Sequence, residues 1–255
     1  MIAKQIMKRL EIVFLILTLI LTFVLHSCSL DESDNYNNNE YPFALASVNV
    51  IEGKDYFFKM DNEKTIFPSD TTAIQNYKIV NGQRVYVWFD LLDEKISEYD
   101  YNARIVYIRD ILTKGVFPIT TAEQDSIGDD PVNIDYIGFG GGYLNVQFQL
   151  KGTNNPSKPH MINLVKNEMR TGEEEDGYIN LEFRHIAKDD YQSEVYSGIV
   201  CFKPPFAEDE TTKKGLKIRV NTMYEGVKYI KIDFDSSNNS ARNEQSVSAN
   251  TIAII

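Results

Sequence analysis

Residues 143–150 read Tyr143-Leu144-Asn145-Val146-Gln147-Phe148-Gln149-Leu150. Leu144, Val146, Phe148 and Leu150 alternate with polar neighbours, which puts one set toward a core and the other toward water, as on a half-buried strand. The same period of two recurs downstream. Ile179, Leu181 and Phe183 alternate with Tyr178, Asn180 and Glu182. Leu216, Ile218 and Val220 alternate with Lys217 and Arg219, and Ile230, Ile232 and Phe234 with Lys231 and Asp233. Turn signals separate these runs: Asn81-Gly82, Lys151 to Lys158, Thr171 to Gly177 and Glu225-Gly226. No long amphipathic helix interrupts them, although Thr121 to Ser126 suits a short one. The expected class is all-β, with residues 135–235 forming an antiparallel β-sandwich.

Upstream the texture changes. Strands expected at 43–51, 55–60, 64–67, 83–92 and 98–109 carry apolar residues on both faces. Val85, Val87, Phe89 and Leu91 face one way, and Tyr86 and Trp88 the other. Tyr99, Tyr101, Ile105 and Tyr107 oppose Val106 and Ile108. Burial on both sides suits a small closed barrel with something packed outside it, assigned to residues 41–115. A turn-rich stretch, 116–134, holding Pro118, Gly128 and Pro131, reads as the linker.

The chain ends are different in kind. Lys4, Lys8 and Arg9 precede an apolar run from Ile12 to Leu25, followed by His26, Ser27 and Cys28. That order is a secretory signal, too short for a span of roughly 20 residues. Leu25-His26-Ser27-Cys28 resembles the lipobox of bacterial lipoproteins, with His26 departing from the usual small or aliphatic residue. Residues 1–27 are therefore expected to be cut away after Ser27, leaving a palmitate-type lipid anchor on Cys28. The acidic Ser29 to Asp34 run resembles the export tag of surface lipoproteins in the Bacteroidota. It implies the outer membrane and cell-surface exposure. Residues 28–40 make an acidic, Asn-rich tether and 236–255 a polar tail, both short of apolar residues to fold alone.

Charge and cysteines narrow the partners. The chain carries a formal charge of −11, and loss of Lys4, Lys8, Arg9 and Glu11 with the signal takes it to −13. Phosphate backbones repel such a surface, so nucleic acid is excluded as a partner. With Cys28 acylated, Cys201 is left without an intrachain partner, so stability rests on core burial.

Six stretches, taken in order, resemble the NigD-like lipoproteins of the Bacteroidota: YPFALASVNV at 41–50, YDYNARIVYIRDILTKGV at 99–116, DSIGDDPVNI at 125–134, GGGYLNVQF at 140–148, HMINLV at 160–165 and DGYINLEFRH at 176–185. The resemblance covers nearly all of residues 41–234. It implies an OB-like N-terminal barrel and a C-terminal β-sandwich. It also implies an immunity role, since the family name comes from a bacteriocin-associated gene cluster, but it supplies no catalytic residues.

Each remaining candidate has a chemical and a plainer reading. His160 and His185 could pair as metal ligands, or one could serve Cys201 as a base. Without His-x-x-x-His or Cys-x-x-Cys spacing, two histidines capping a core are the simpler account. Gly138-Phe139-Gly140-Gly141-Gly142 lacks the Lys-Ser/Thr ending of a phosphate loop and precedes a strand, so a bend or close backbone approach is expected. Asp129-Asp130, Glu173 to Asp176, Asp189-Asp190 and Glu208 to Glu210 could supply a hydrolase with paired carboxylates, yet all lie in expected turns and read as solvated charge. Tyr86 and Trp88, or the Tyr99, Tyr101 and Tyr107 stripe, could stack on sugars, against a packing role. Thr71 and Ser126, each after an Asp, fit the short pattern of Bacteroidota O-glycosylation. The leading expectation is a non-enzymatic lipoprotein, without metal or cofactor, that binds an envelope protein or a bacteriocin. A glycan-binding module is the alternative and a hydrolase the lesser one.

Overall fold

The computed structural model describes residues 41–53, 55–121, 123–153, 155–169, 177–190, 194–203 and 213–234. Ser27, Cys28, the tether, the tail and the acidic runs at Glu173 and Glu208 lie outside the described residues.

The first five strands are β1 (Phe43–Val50), β2 (Tyr56–Met60), β3 (Thr65–Asp70), β4 (Arg84–Leu91) and β5 (Tyr101–Asp110). They close into a barrel in the order β1-β2-β3-β5-β4, with β3 and β5 parallel. Ala46, Val48, Phe58, Ile66, Val85, Val87 and Ile105 fill it. Closure leaves no free sheet edge. A β-bulge adjusts the reading of β5. Trp88 pairs with Tyr107 but Phe89 with Ile105, so Val106 is the extra residue. The side-chain phase flips there: Ile105 and Ile108 both point into the barrel, and Tyr107 does not share a face with Ile105 as alternation predicts. Leu91, expected inward, is 54% exposed at the strand end.

On the outer side of β2 and β3, Phe57 and Phe67 both pack against Tyr99 from the β4–β5 loop in tilted contacts, at 5.4 and 5.0 Å between ring centroids. Asp100 anchors that loop by accepting from the Thr65 backbone and hydroxyl. The barrel thus covers this face with its own tyrosine.

The sandwich has a four-stranded sheet, β6-β12-β9-β8, and a five-stranded sheet, β14-β13-β11-β10-β7. The strands are β6 (Leu112–Gly115), β7 (Phe117–Ile119), β8 (Asn133–Gly140), β9 (Tyr143–Lys151), β10 (Met161–Asn167), β11 (Tyr178–Ile186), β12 (Val195–Lys203), β13 (Gly215–Thr222) and β14 (Gly226–Asp233). Leu144, Val146, Phe148 and Leu150 meet Ile179, Leu181, Phe183, Leu216, Ile218 and Val220 between the sheets. Each fully buried side chain of this size contributes roughly 1.5–3 kcal/mol.

Two features depart from the sequence reading. The sheets are mixed, because β7–β10, β13–β11 and β6–β12 run parallel. The stretch 116–134, expected as a linker, is built into the sandwich, as is β6 just before it. At Val116 the chain crosses from one sheet to the other. A short helix, α1 (Gln124–Ile127), then brings Ile127 against Ile119 and Val165. Strands of three and four residues are too short to show a period, so composition alone marks them as turn-rich.

Candidate functional site

Arg84, Tyr86 and Trp88 form the outward-pointing row of β4, and all three are buried under the sandwich. Tyr86 and Trp88, each 3% exposed, pack with Ile111, Ile199 and Cys201. The Phe43 and Tyr107 rings flank Trp88 at 5.8 and 5.2 Å. Burial pushes the Tyr86 hydroxyl up to about 12, and the Trp88 indole N–H has no hydrogen-bond partner. A sugar cannot reach either ring. The glycan-stacking expectation for Tyr86 and Trp88 is therefore corrected: the face that was to hold sugar is the barrel–sandwich junction.

The Arg84 end of this row carries an ion pair whose arginine is fully buried and whose aspartate is partly buried. Arg84 reaches Asp61, on the β2–β3 turn, at two points: Nη1 to Oδ1 at 2.7 Å and Nη2 to Oδ2 at 2.9 Å. Its guanidinium also donates to Ser47 Oγ and Asn145 Oδ1 and lies 4.7 Å from the Tyr143 ring centroid. Burial disfavours the charge, but the hydrogen bonds and charge of Asp61 outweigh that. Asn145, on β9, donates to Asp61 at 2.7 Å. It is thus the sandwich residue that closes the network.

The glycine run Gly138 to Gly142 finds its role here. A Cβ at Gly140 would lie 2.7 Å from Asp61 Oδ2, and one at Gly141 would press closer still on Asp61 Oδ1. The β8–β9 turn is glycine-rich because it presses its backbone onto the Asp61–Arg84 pair, the close approach expected from sequence. Cys201 completes the cluster, its thiol donating to Asn145 Oδ1 at 3.1 Å. Burial pushes that thiol up to about 11, so it stays protonated at neutral pH and is a poor nucleophile.

His160 and His185 pair with each other and not with Cys201. His160 Nδ1 lies 2.8 Å from His185 Nε2, and the rings stack at 5.0 Å. His185 Nδ1 is 3.1 Å from the Pro131 carbonyl, and His160 Nε2 is 3.3 Å from Asp190 Oδ2. A carbonyl only accepts, so His185 donates through Nδ1 and accepts at Nε2. His160 then donates at Nδ1, and its Nε2 also faces an acceptor. Burial, and then the nearby His160, hold His185 down at about 4, in its neutral form. Burial works to raise Asp190, but hydrogen bonds from Thr153 and His160 prevail and hold it below the usual carboxylate range.

Other acidic residues are also structural. Asp129 accepts two hydrogen bonds from Arg219, at 2.8 and 2.7 Å, and pairs with Arg184 at 3.0 Å. Asp130 caps the Ala187 N–H at 2.8 Å. Solvated charge does not describe them: the α1–β8 connection is clamped to the outer face of the five-stranded sheet. Among the described residues no group of three His, Cys, Asp or Glu is arranged to hold a metal. Thr71 is half-buried beside the 3₁₀ turn Thr72–Ile74, and Ser126 is exposed on α1, donating to the Glu123 carbonyl. Sequence reasoning missed Arg84, Asp61 and Asn145, since their partners lie 23 and 61 residues apart along the chain.

Two family models match the chain. The NigD-like N-terminal OB domain covers residues 45–111, and the NigD-like C-terminal beta sandwich domain covers residues 115–234. The chain belongs to the NigD-like family. Among curated proteins there is no match. A Parabacteroides distasonis protein described as toxin-related is 29% identical, covering 76% of this chain and 93% of its own, with a TM-score of 0.62. A NigD-like immunity protein from Bacteroides caccae is 19% identical over 78% of this chain and 95% of its own, with a TM-score of 0.57. A Bacteroides fragilis protein described as a lipoprotein is 12% identical over 76% and 98%, with a TM-score of 0.57. The last two share the NigD-like fold.

Proposed function

We propose that this NigD-like protein is a non-enzymatic lipoprotein, held on the outer membrane by lipid at Cys28 and facing outward, that binds a bacteriocin-type toxin and confers immunity to it. The observation that carries this reading is the 29% identity to a protein described as toxin-related, across 93% of that protein. The name of the Bacteroides caccae structure, a NigD-like immunity protein, points the same way. The site chemistry of the described residues agrees: Cys201 is a buried thiol, and Asp129, Asp130, Asp190 and the two histidines are engaged in holding the fold. The deciding experiment challenges cells with bacteriocins from strains sharing their niche. Deleting the gene is expected to raise sensitivity to one of them, with restoration by the intact gene. Unchanged sensitivity to every toxin overturns the immunity role. Labelled palmitate is expected on the wild-type chain and absent after Cys28→Ala, and protease shaving of intact cells is expected to cut the tether.

A further inference from the structure

Away from the junction, a cleft of about 240 Å3 opens where β8, an edge strand of one sheet, faces the β13–β14 hairpin of the other. Its floor is apolar: Ile134, Val220 and Ile230 come from both sheets. Its rim is polar and carries one aromatic ring.

The rim is a constructed feature. Along β8 the pairing runs Ile134 with Phe148 and then Tyr136 with Gln147, so Asp135 is the extra residue of a bulge. Bulges re-aim side chains, and Asp135 lines the cleft. Opposite, Thr222 Oγ1 donates to the Gly226 carbonyl at 2.7 Å and accepts from the Glu225 N–H at 3.0 Å, which fixes the hairpin turn. The Met223 N–H donates to Asn133 Oδ1 at 2.9 Å, tying that turn to β8. The turn holds Tyr224 out at 68% exposure, with the Lys151 ammonium 5.6 Å from its ring centroid.

The chemistry selects the ligand. Asp135 accepts from the Gln149 side chain and keeps carboxylate lone pairs for hydroxyl groups. Asn133 has its oxygen engaged and its amide N–H groups left to donate. Glu225 and Lys228 form an ion pair on the rim, adding both acceptor and donor. Tyr224 supplies a flat face and the floor an apolar surface for C–H groups. Glu225 and Lys228 offset each other, so anions are disfavoured by Asp135 and by a chain charge of −11. The cavity has room for one ring. We propose that this cleft binds a single neutral sugar ring, stacked on Tyr224 with its hydroxyls shared between Asp135 and Asn133. This site is separate from the aromatic row of β4 and independent of toxin binding.

The test is titration of the full chain with N-acetylglucosamine, galactose and mannose, each to about 50 mM, followed by NMR, a range suited to millimolar affinity. At least one sugar is expected to give saturable shifts confined to Asn133, Asp135 and the Thr222 to Gly226 turn. Tyr224→Ala is expected to weaken that binding at least about tenfold. Because Tyr224 is a surface residue, the unfolding midpoint should not move. Asp135→Asn is expected to weaken it as well. Absence of saturable shifts with all three sugars overturns the proposal, as do shifts indifferent to Tyr224→Ala. Choline shifting the same residues where sugars do not also overturns it, and makes the cleft a cation site.

Discussion

Arg84 carries its charge at 0% exposure because Asp61 meets it at two points, 2.7 and 2.9 Å away. A buried pair of this kind is weak evidence for stability in itself, since desolvation cancels most of the attraction. Removing one partner is different. Asp61→Ala leaves a buried guanidinium uncompensated and is expected to cost about 3–5 kcal/mol. The double variant Asp61→Leu with Arg84→Met, which removes both charges, is expected to recover much of that loss. Urea unfolding of the set measures it, and an additive double variant would contradict the coupling.

Trp88 is the single tryptophan of the chain, and its place at the junction makes it the natural probe for such experiments. Its emission is expected to be blue-shifted and resistant to iodide in the native state, as suits a ring 3% exposed. It should not respond to sugars. Quenching like that of a free indole would place the ring in water and undo the account of the junction.

The glycine turn gives a sharper test. Gly141 and Gly142 both have positive φ, +59° and +81°, so alanine at either costs about 1 kcal/mol in backbone strain. Of the two, Gly141 alone also faces Asp61, and a Cβ there would lie 2.9 Å from Arg84 Nη1. Gly142→Ala is therefore expected to be mild, and Gly141→Ala to lose a further 1–3 kcal/mol, roughly, from overpacking. Thermal unfolding separates the two, and equal losses would remove the close-approach argument.

The strands of the sandwich core were legible because water lies on one side of each and core on the other, which writes a period of two into Leu144 to Leu150 and Leu216 to Val220. The barrel was legible for the opposite reason: β4 is covered on both sides, so Tyr86 and Trp88 are as apolar as Val85 and Val87. What local pattern cannot carry is identity of partner. Arg84 reads as an ordinary outward residue at a strand start, and nothing near it announces Asp61 or Asn145. Asp129 reads as loop charge until Arg184 and Arg219 arrive from two later strands. The bulge at Val106 is likewise invisible, since an inserted residue shifts the phase without changing composition. The histidines were half legible, in phase with Ile162 and Phe183, but their hydrogen-bond order depends on Pro131 and Asp190.

That order gives the pH dependence its sign. Burial holds His185 down at about 4 in the folded chain, against an ordinary histidine value of 6.5, so between these values the unfolded chain binds a proton that the folded chain refuses. The stability contributed by neutral His185 is present above pH 6.5 and is lost as pH falls toward 4. The loss over that window is about 3 kcal/mol. Asp190 is depressed as well, by hydrogen bonds from Thr153 and His160, so its share is lost at still lower pH, as that carboxylate takes up a proton. Urea midpoints measured from pH 7.5 to 4 are expected to fall steadily below 6.5. His185→Gln keeps a side chain able to donate and accept but removes the titration, and its profile across the same window should be distinctly flatter. A wild-type profile that is flat, or that rises on acidification, would contradict a buried neutral His185 donating to the Pro131 carbonyl.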